Sequence, residues 1–270
     1  MPVISLTTDF GIKDGNVGVM KGVIWNIAPE THIADLSHLI PPQNIREAAL
    51  ILLRSAPYFP ENSVHVVVVD PGVGTARRPM AAKIGSQYYV GPDNGTITLL
   101  LEKAQDAGWE ATFVELKNPR YWLPNVSFVF HGRDIFSPVA AHLSAGVPIH
   151  AFGTPFDNPV RLEFPQPEKT ESGWRGEIIH IDHFGNLSSN IRVETLGEAL
   201  KAKERITVEV AGIEIKGLVN TFGERAVGEL IALIGSTGNL ILSVVNGSAH
   251  ERLNIQSGDA INVIFESVSS

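Results

Sequence analysis

Two aspartates follow apolar runs and precede glycines, a pattern that could place carboxylates at one edge of a sheet. Asp70 follows four consecutive valines, and two glycines and two arginines come within the next eight residues. Asp9 follows the run VISLTT and precedes Gly11. Ligands bind beyond the carboxyl ends of parallel strands, where glycine lets backbone approach closely. The pattern predicts a polar small-molecule site, although a helix cap or a turn explains either aspartate alone.

Two further polar clusters carry histidine beside aspartate. One is FHGRD at residues 130–134, between an apolar run and a predicted helix, and the other is IDHFGN at residues 181–186. Side chains of these types can orient a water molecule or hold a polar ligand. Together the four clusters indicate chemistry beyond what folding alone requires.

Several common site types are poorly supported. Gly72-Val73-Gly74 lacks the third glycine and the following helix of a dinucleotide loop. No His-x-x-x-His pair occurs, and adjacent strand residues such as Asp182 and His183 point to opposite faces, so we expect no metal. No serine lies in a nucleophile elbow that could complete a triad.

Composition narrows the class of protein. The 270 residues are 44% hydrophobic and 19% charged, as in a globular protein with a real core. The net charge of −8 and the lack of Lys/Arg runs argue against nucleic acid. The chain has no cysteine, which suits a reducing compartment, and no signal-peptide pattern or long apolar run. We expect a soluble, cytoplasmic protein without a membrane partner.

The first half alternates predicted strands and helices, which indicates an α/β domain with a central sheet flanked by helices. Asn44 followed three residues later by Glu47 predicts a capped helix start. The predicted strands are 3–8, 31–36, 64–69 and one or two within 80–90, and the predicted helices are 15–27 and 45–54.

The second half is mostly β in pattern. The sequence ITVEVAGIEIKG predicts a hairpin that turns at Ala211-Gly212. We predict an α/β N-terminal domain (1–152), a proline-rich linker (153–170) and an all-β C-terminal barrel (171–270). The predicted strands of this half are 174–181, 206–210, 213–218, 240–245 and 260–265.

Six motifs, spread over essentially the whole chain, together resemble the S-adenosylmethionine hydroxide adenosyltransferases. This family is also called the adenosine-forming S-adenosylmethionine hydrolases, and its relatives make 5′-fluoro- and 5′-chloro-deoxyadenosine. The motifs are TTDFG, VVVVDPGVGTARR, YVGPDNG, FHGRDIFSPVAAHL, IDHFGNL and GSTGNL.

The resemblance implies a reaction and an assembly. The substrate would be S-adenosylmethionine, split by water into adenosine and methionine without a cofactor. The fold would be an α/β domain followed by a β-barrel, in a homotrimer with sites between neighbouring subunits.

The resemblance also implies roles for nine residues. Asp70, Arg77 and His131 match the set that acts on water: Arg77, chosen over Arg78, would stabilise hydroxide character, and the other two would accept hydrogen bonds from the oxygen. The substrate-binding positions are Asp9 for the ribose hydroxyls, Asp182 and Ser236 for the methionine end, Asn186 for the adenine end, and Phe184 and Phe222 as aromatic walls.

Two alternatives remain open from the sequence. One is a 5′-halo-deoxyadenosine synthase, which the Asp70, Arg77 and His131 set disfavours. Gly132 stands where the fluoride enzyme has serine, and no arginine follows Ser236 as it does there. The other is a sensor that binds adenosine or S-adenosylmethionine with negligible turnover, which kinetics would distinguish.

Overall fold

The computed structural model describes residues 3–266 and divides into two compact units. One unit ends at Leu162 and the other begins at Glu163. The segment 153–170, predicted as a linker, contains two short strands at its ends, and the first of them belongs to the sheet of the first unit. No helix in residues 3–266 is long and apolar enough to cross a bilayer.

The first unit is built on a seven-stranded mixed sheet. Its strands are β1 (Val3–Thr8), β2 (His32–Ser37), β3 (Val64–Val68), β4 (Pro79–Ile84), β5 (Gln87–Pro92), β6 (Ala111–Leu116) and β7 (Gly153–Phe156). They lie in the order β2-β1-β3-β5-β4-β6-β7. The pairs β1–β2, β1–β3 and β3–β5 are parallel and the other pairs are antiparallel.

Helices cover both faces of this sheet, which confirms the predicted α/β class. They are α1 (Asn16–Ile27), α2 (Ile45–Ser55), α3 (Thr98–Ala107) and α4 (Ser137–Ser144). Val66 and Val68 of β3 pack in one core with α1 and α4, while Val67 packs in a second core with α2 and α3. Burial on both faces explains the unbroken valine run, because a strand between two helix layers needs no polar face.

The start of α2 follows from its capping residue. The side chain of Asn44 accepts a hydrogen bond from the backbone N–H of Glu47 at 3.0 Å, as the sequence predicts. By contrast, α1 begins after Gly15, which is in the left-handed region and provides no side-chain cap.

The second unit is an eight-stranded antiparallel sheet. Its strands are β8 (Glu168–Lys169), β9 (Gly173–Ile181), β10 (Leu187–Arg192), β11 (Ile206–Val210), β12 (Ile213–Lys216), β13 (Leu230–Ile234), β14 (Asn239–Val244) and β15 (Ala260–Phe265), with short helices α5 (Val193–Leu196) and α6 (Ala249–Leu253). The order is β12-β11-β15-β9-β10-β14-β13, and β8 pairs with β9.

This sheet curls until its two edges approach each other. Val219, just after β12, forms an isolated bridge with Leu233 of the opposite edge strand β13. The unit is therefore all-β and barrel-like, as predicted. The predicted hairpin is also confirmed: β11 and β12 join through Ala211 and Gly212, with φ of 49° and 74°, as a type I′ turn requires. Strands β8, β10 and β13 are additions that the sequence pattern did not indicate.

Candidate active site

Asp9 and Asp70 leave the same edge of the first sheet. Strands β1 and β3 are parallel neighbours, with Thr8 opposite Val68, and each aspartate comes within two residues of its strand's end. Both carboxylates therefore lie in the region beyond the carboxyl ends of the strands, where α/β sheets bind ligands.

Asp70 forms a two-point ion pair with Arg77. Nε of Arg77 donates to Oδ1 of Asp70 at 3.0 Å, and Nη2 donates to Oδ2. The two side chains are only 5% and 8% exposed, respectively. The predicted turn exists as well, because the N–H of Val73 donates to the carbonyl oxygen of Asp70. Asp70 thus combines a turn with a shielded carboxylate.

His131 joins this pair from another part of the chain. Its Nδ1 lies 3.2 Å from Nη2 of Arg77. The residue directly precedes a π-helical turn (Gly132–Phe136) that runs into α4, and such turns are frequent at functional sites. Gly132 lets this segment pack against β3, since a Cβ there would lie 3.2 Å from Cγ1 of Val68.

The protonation state of His131 follows from its neighbours. Burial lowers the pKa of His131, the charge of Arg77 lowers it further, and Asp70 and Asp134 oppose them. The ring is therefore neutral at neutral pH. Because a guanidinium can only donate, Nδ1 of the neutral ring is the acceptor and Nε2 carries the proton.

One donor of Arg77 remains without a partner. Within residues 3–266, its Nη1 is buried and makes no hydrogen bond. Buried N–H groups are almost always paired, so an unpaired one in a cluster of this kind indicates a place for an acceptor atom.

Arg78 has a different environment. Its guanidinium donates to Asp93 at 2.8 Å and to the side chain and carbonyl of Asn158, and it stacks 4.2 Å from the centre of the Phe156 ring. Arg77, and not Arg78, is therefore the arginine beside Asp70 and His131.

Asp9 is held by the segment that precedes α2. Its Oδ2 accepts a hydrogen bond from the N–H of Gln43 at 2.8 Å, and it does not cap α1. The next residue, Phe10, packs edge-on against Phe130 at 5.6 Å, directly before His131. The Asp9 turn and the His131 segment are thus in direct contact.

The other five predicted site residues lie in the second unit. Asp182 accepts three hydrogen bonds, from the N–H groups of Phe184 and Asn186 and from the side chain of Asn186. Ser243 donates to Asn186 at 2.5 Å. The structure joins Asp182 and Asn186 in one tight turn, with Phe184 at its tip and 73% exposed. Phe222 and Ser236 are exposed on two other segments.

Two residues close to Asp9 or His131 were not predicted as site residues. Asp134 is fully buried, is paired by two donors of Arg133 and accepts the N–H of Ser127, so it fixes the loop before His131. The HGRD motif was the available signal for it. Gln43, with a positive φ of 65°, carried no signal, because its contact with Asp9 comes from the backbone.

The part of the chain that the structure describes contains no group of three or more His, Asp or Glu side chains that could hold a metal ion.

Comparison with known proteins matches both units. The model for the SAM hydroxide adenosyltransferase N-terminal domain matches residues 4–153, and that for the C-terminal domain matches residues 176–262. The chain is 41% identical to an "(R)-S-adenosyl-L-methionine hydrolase" of Salinispora tropica, over 97% of each chain. It is 38% identical to a protein of the same name from Thermus thermophilus, over 98% of this chain and all of the other.

More distant relatives and solved structures agree with these matches. A "Fluorinase" of Nocardia brasiliensis is 28% identical over 97% of this chain and 96% of its own. The crystal structure of an uncharacterized conserved protein from Thermotoga maritima superposes with a TM-score of 0.88 at 37% identity, covering 96% of this chain and 99% of the other.

Proposed function

Because this chain belongs to the SAM hydroxide adenosyltransferase family, we propose that it is an enzyme that hydrolyses S-adenosyl-L-methionine to adenosine and L-methionine. Relatives at 35–41% identity are named for the (R) form of this substrate, the configuration at the sulfonium sulfur. We therefore propose the (R)-sulfonium diastereomer as the preferred substrate.

The observation that carries this proposal is the shielded Asp70–Arg77–His131 cluster with its free donor. Nη1 of Arg77 would donate to the oxygen of a water molecule and stabilise the negative charge that develops there. Asp70 has carboxylate lone pairs beyond those that Arg77 uses, so it would accept the proton of that water. Nδ1 of His131 already accepts from Arg77, so the acceptor role expected of His131 passes to Asp70.

The step is a single displacement at C5′ of the ribose. The water oxygen forms a bond to C5′ while the C5′–S bond breaks, and its electron pair goes to sulfur. Methionine leaves as a neutral thioether, one proton passes to Asp70, and adenosine carries the new 5′-hydroxyl. The reaction needs no cofactor, because the sulfonium is already a good leaving group.

Exclusion of bulk water favours this displacement. A hydroxide-like oxygen and a sulfonium neutralise each other, so bulk water solvates the reactants better than the transition state. A shielded site with fixed donors reduces that penalty. The low exposure of Asp70 and Arg77 supports such a site.

The family resemblance assigns substrate-binding roles to residues in each unit. Asp9 would hold the ribose hydroxyls and Asn186 the adenine end, while Asp182 and Ser236 would hold the methionine end. Phe184 and Phe222 are exposed aromatic side chains that could cover the substrate. These roles are part of the proposal and derive from the family resemblance.

We also propose a cytoplasmic homotrimer with sites between neighbouring subunits. Phe128 and Val129 are 80% and 79% exposed, close to Gly74 in the loop that leads to Arg77. Large apolar side chains of this kind suit an interface. Sedimentation equilibrium would give three times the mass of one chain, and a monomer at working concentration would contradict the assembly.

Product analysis with each pure sulfonium diastereomer tests the function. We expect equal amounts of adenosine and methionine, formed faster from the (R) form. Formation of 5′-halo-deoxyadenosine when fluoride or chloride is added would instead indicate the halide reaction. Binding without any product over hours would indicate a sensor.

A further inference from the structure

The segment between β2 and α2 contacts the Asp9 turn at three points. Nδ1 of His38 lies 2.9 Å from the hydroxyl oxygen of Thr8. The carbonyl oxygen of His38 accepts the N–H of Gly11 at 2.8 Å, and the N–H of Gln43 donates to the Asp9 carboxylate. His38 therefore holds the residues on both sides of Asp9.

The Thr8 hydroxyl closes the turn around Asp9. It accepts the N–H of Phe10 at 3.2 Å, so the turn ends on the same oxygen that His38 contacts. Thr8 is fully buried and His38 is 8% exposed. The Thr8 hydroxyl therefore has a buried partner on each side, and buried hydrogen bonds of this kind restrict the groups they join.

The far side of the His38 ring faces a carboxylate, and this is an ion-pair contact: among residues 3–266, the buried Nε2 makes no contact with hydrogen-bond geometry. Nε2 lies 2.9 Å from Oδ1 of Asp35, whose other oxygen accepts a hydrogen bond from Lys21 of α1 at 2.6 Å. Partial burial acts to raise the pKa of Asp35, but the contacts with Lys21 and His38 outweigh it and lower the pKa. An ionised Asp35 favours the proton on Nε2, which makes Nδ1 an acceptor for the Thr8 hydroxyl.

We propose that His38 is a positioning residue for Asp9, and that it sets the orientation of this carboxylate for the ribose hydroxyls. This inference rests on the proposed function, in which Asp9 binds the ribose. The His38 side chain acts through the Thr8 hydroxyl and does not touch the substrate, while the contact with Gly11 uses the backbone carbonyl and does not depend on the side chain. An apolar side chain would fill the same space but lose the hydrogen bond to Thr8, so the His38 side chain should matter only for ligands with a ribose diol.

Calorimetric titration with two nucleosides tests this inference. The probes are adenosine and 2′,3′-dideoxyadenosine, which lacks both hydroxyls. H38L should weaken adenosine binding about tenfold and leave dideoxyadenosine binding unchanged, as expected when a charged group loses its alignment. H38N keeps a polar atom close to the position of Nδ1 and should restore most of the adenosine affinity. H32L, which changes an exposed histidine at the start of β2, is the matched control.

A double variant separates positioning from general loosening. Once D9N has weakened adenosine binding, addition of H38L should cause no further loss. Equal weakening of both nucleosides by H38L, or an additive effect in D9N/H38L, would overturn the inference. If H38L does not fold, T8V removes the hydroxyl with little change in shape and should show the same selective loss.

The two proposals fail in different ways. If the wild-type protein releases no adenosine from S-adenosylmethionine, the proposed function fails, while the nucleoside titrations still decide the role of His38. If hydrolysis occurs but H38L and T8V bind adenosine as the wild type does, only the inference about His38 is wrong.

Discussion

Arg77 contacts both of the other catalytic candidates, Asp70 and His131. Its Nε and Nη2 are used by Asp70 and His131, and its Nη1 is buried without a partner among residues 3–266. A buried unpaired donor costs about 1–3 kcal/mol. If the attacking water oxygen accepts a hydrogen bond from Nη1 in the transition state, that bond offsets this cost while the bond to C5′ forms.

Replacement of Asp70 by asparagine should reduce turnover far more than substrate affinity. D70N keeps the size of the side chain but loses the proton acceptor, so kcat should fall about 100-fold to 1,000-fold with KM changed by less than about threefold. Steady-state kinetics of adenosine release would measure both constants.

The neighbouring ion pair provides the control for D70N. D93N disturbs the Arg78 pair, whose carboxylate is also buried but lies apart from His131, so it should lower stability and leave kcat unchanged. A raised KM with normal kcat in D70N would show that Asp70 only binds substrate.

The pH profile should report the neutral state of His131. Burial and Arg77 lower its pKa, so the neutral ring persists below the ordinary value of about 6.5. Protonation of Nδ1 would remove the hydrogen bond with Arg77 and place two cations together. Thus kcat/KM should stay constant as pH falls through 6.5 and decline only at lower pH.

Loss of the Asp70 charge should shift this pH profile in a definite direction. Asp70 raises the pKa of His131, so the residual activity of D70N should decline at a lower pH than that of the wild type. A decline centred above pH 6.5 in the wild type would contradict the neutral His131.

The loop between β3 and β4 depends on glycine at one position. Gly74 has a φ of +74°, and a Cβ there would lie 2.2 Å from the carbonyl oxygen of Phe128. Phe128 is three residues before His131. The close approach of these two loops therefore helps to place His131 beside Arg77.

Paired alanine substitutions should separate this contact from backbone strain. Gly212 has the same φ of +74°, but a Cβ there would meet no atom within 4 Å. G212A should cost about 1 kcal/mol of stability with normal activity, whereas G74A should also reduce kcat by displacing the His131 segment. Denaturant unfolding and adenosine release measure the two effects, and equal activity in both variants would refute the role of the contact.

Helices and strands with a clear hydrophobic pattern, a capping residue or a turn signal were predictable, and those without such a signal were not. The valine run predicted β3 and the Asn44 cap predicted α2, each within one residue of its observed bounds. The Ala211-Gly212 pair predicted the turn of the β11–β12 hairpin. Strand β7 was hidden by Gly153 and Pro155, which the sheet tolerates because β7 is an edge strand. Strand β10 was hidden by two buried serines, one of which donates to the carbonyl of Leu240.

At the scale of the whole chain, the α/β unit and the barrel-like β unit were predictable because their hydrophobic patterns differ. The first half alternates strand and helix patterns, and the second half is mostly strand patterns. Asp70, Arg77 and His131 could be selected only because they lie in motifs that resemble those of a family. Sequence spacing alone could not show that residue 131 contacts residue 77, since that contact depends on how α4 packs on β3. The backbone contact of Gln43 and the side-chain network through His38 had no sequence signal at all.

The most direct test of water attack at C5′ is hydrolysis of (R)-S-adenosyl-L-methionine in oxygen-18 water, with products read by mass spectrometry. Attack of water at C5′ predicts adenosine with the label in its 5′-hydroxyl, together with unlabelled methionine. Adenosine without label would contradict attack by water at C5′, and no adenosine from a protein that binds the substrate would contradict the hydrolase function.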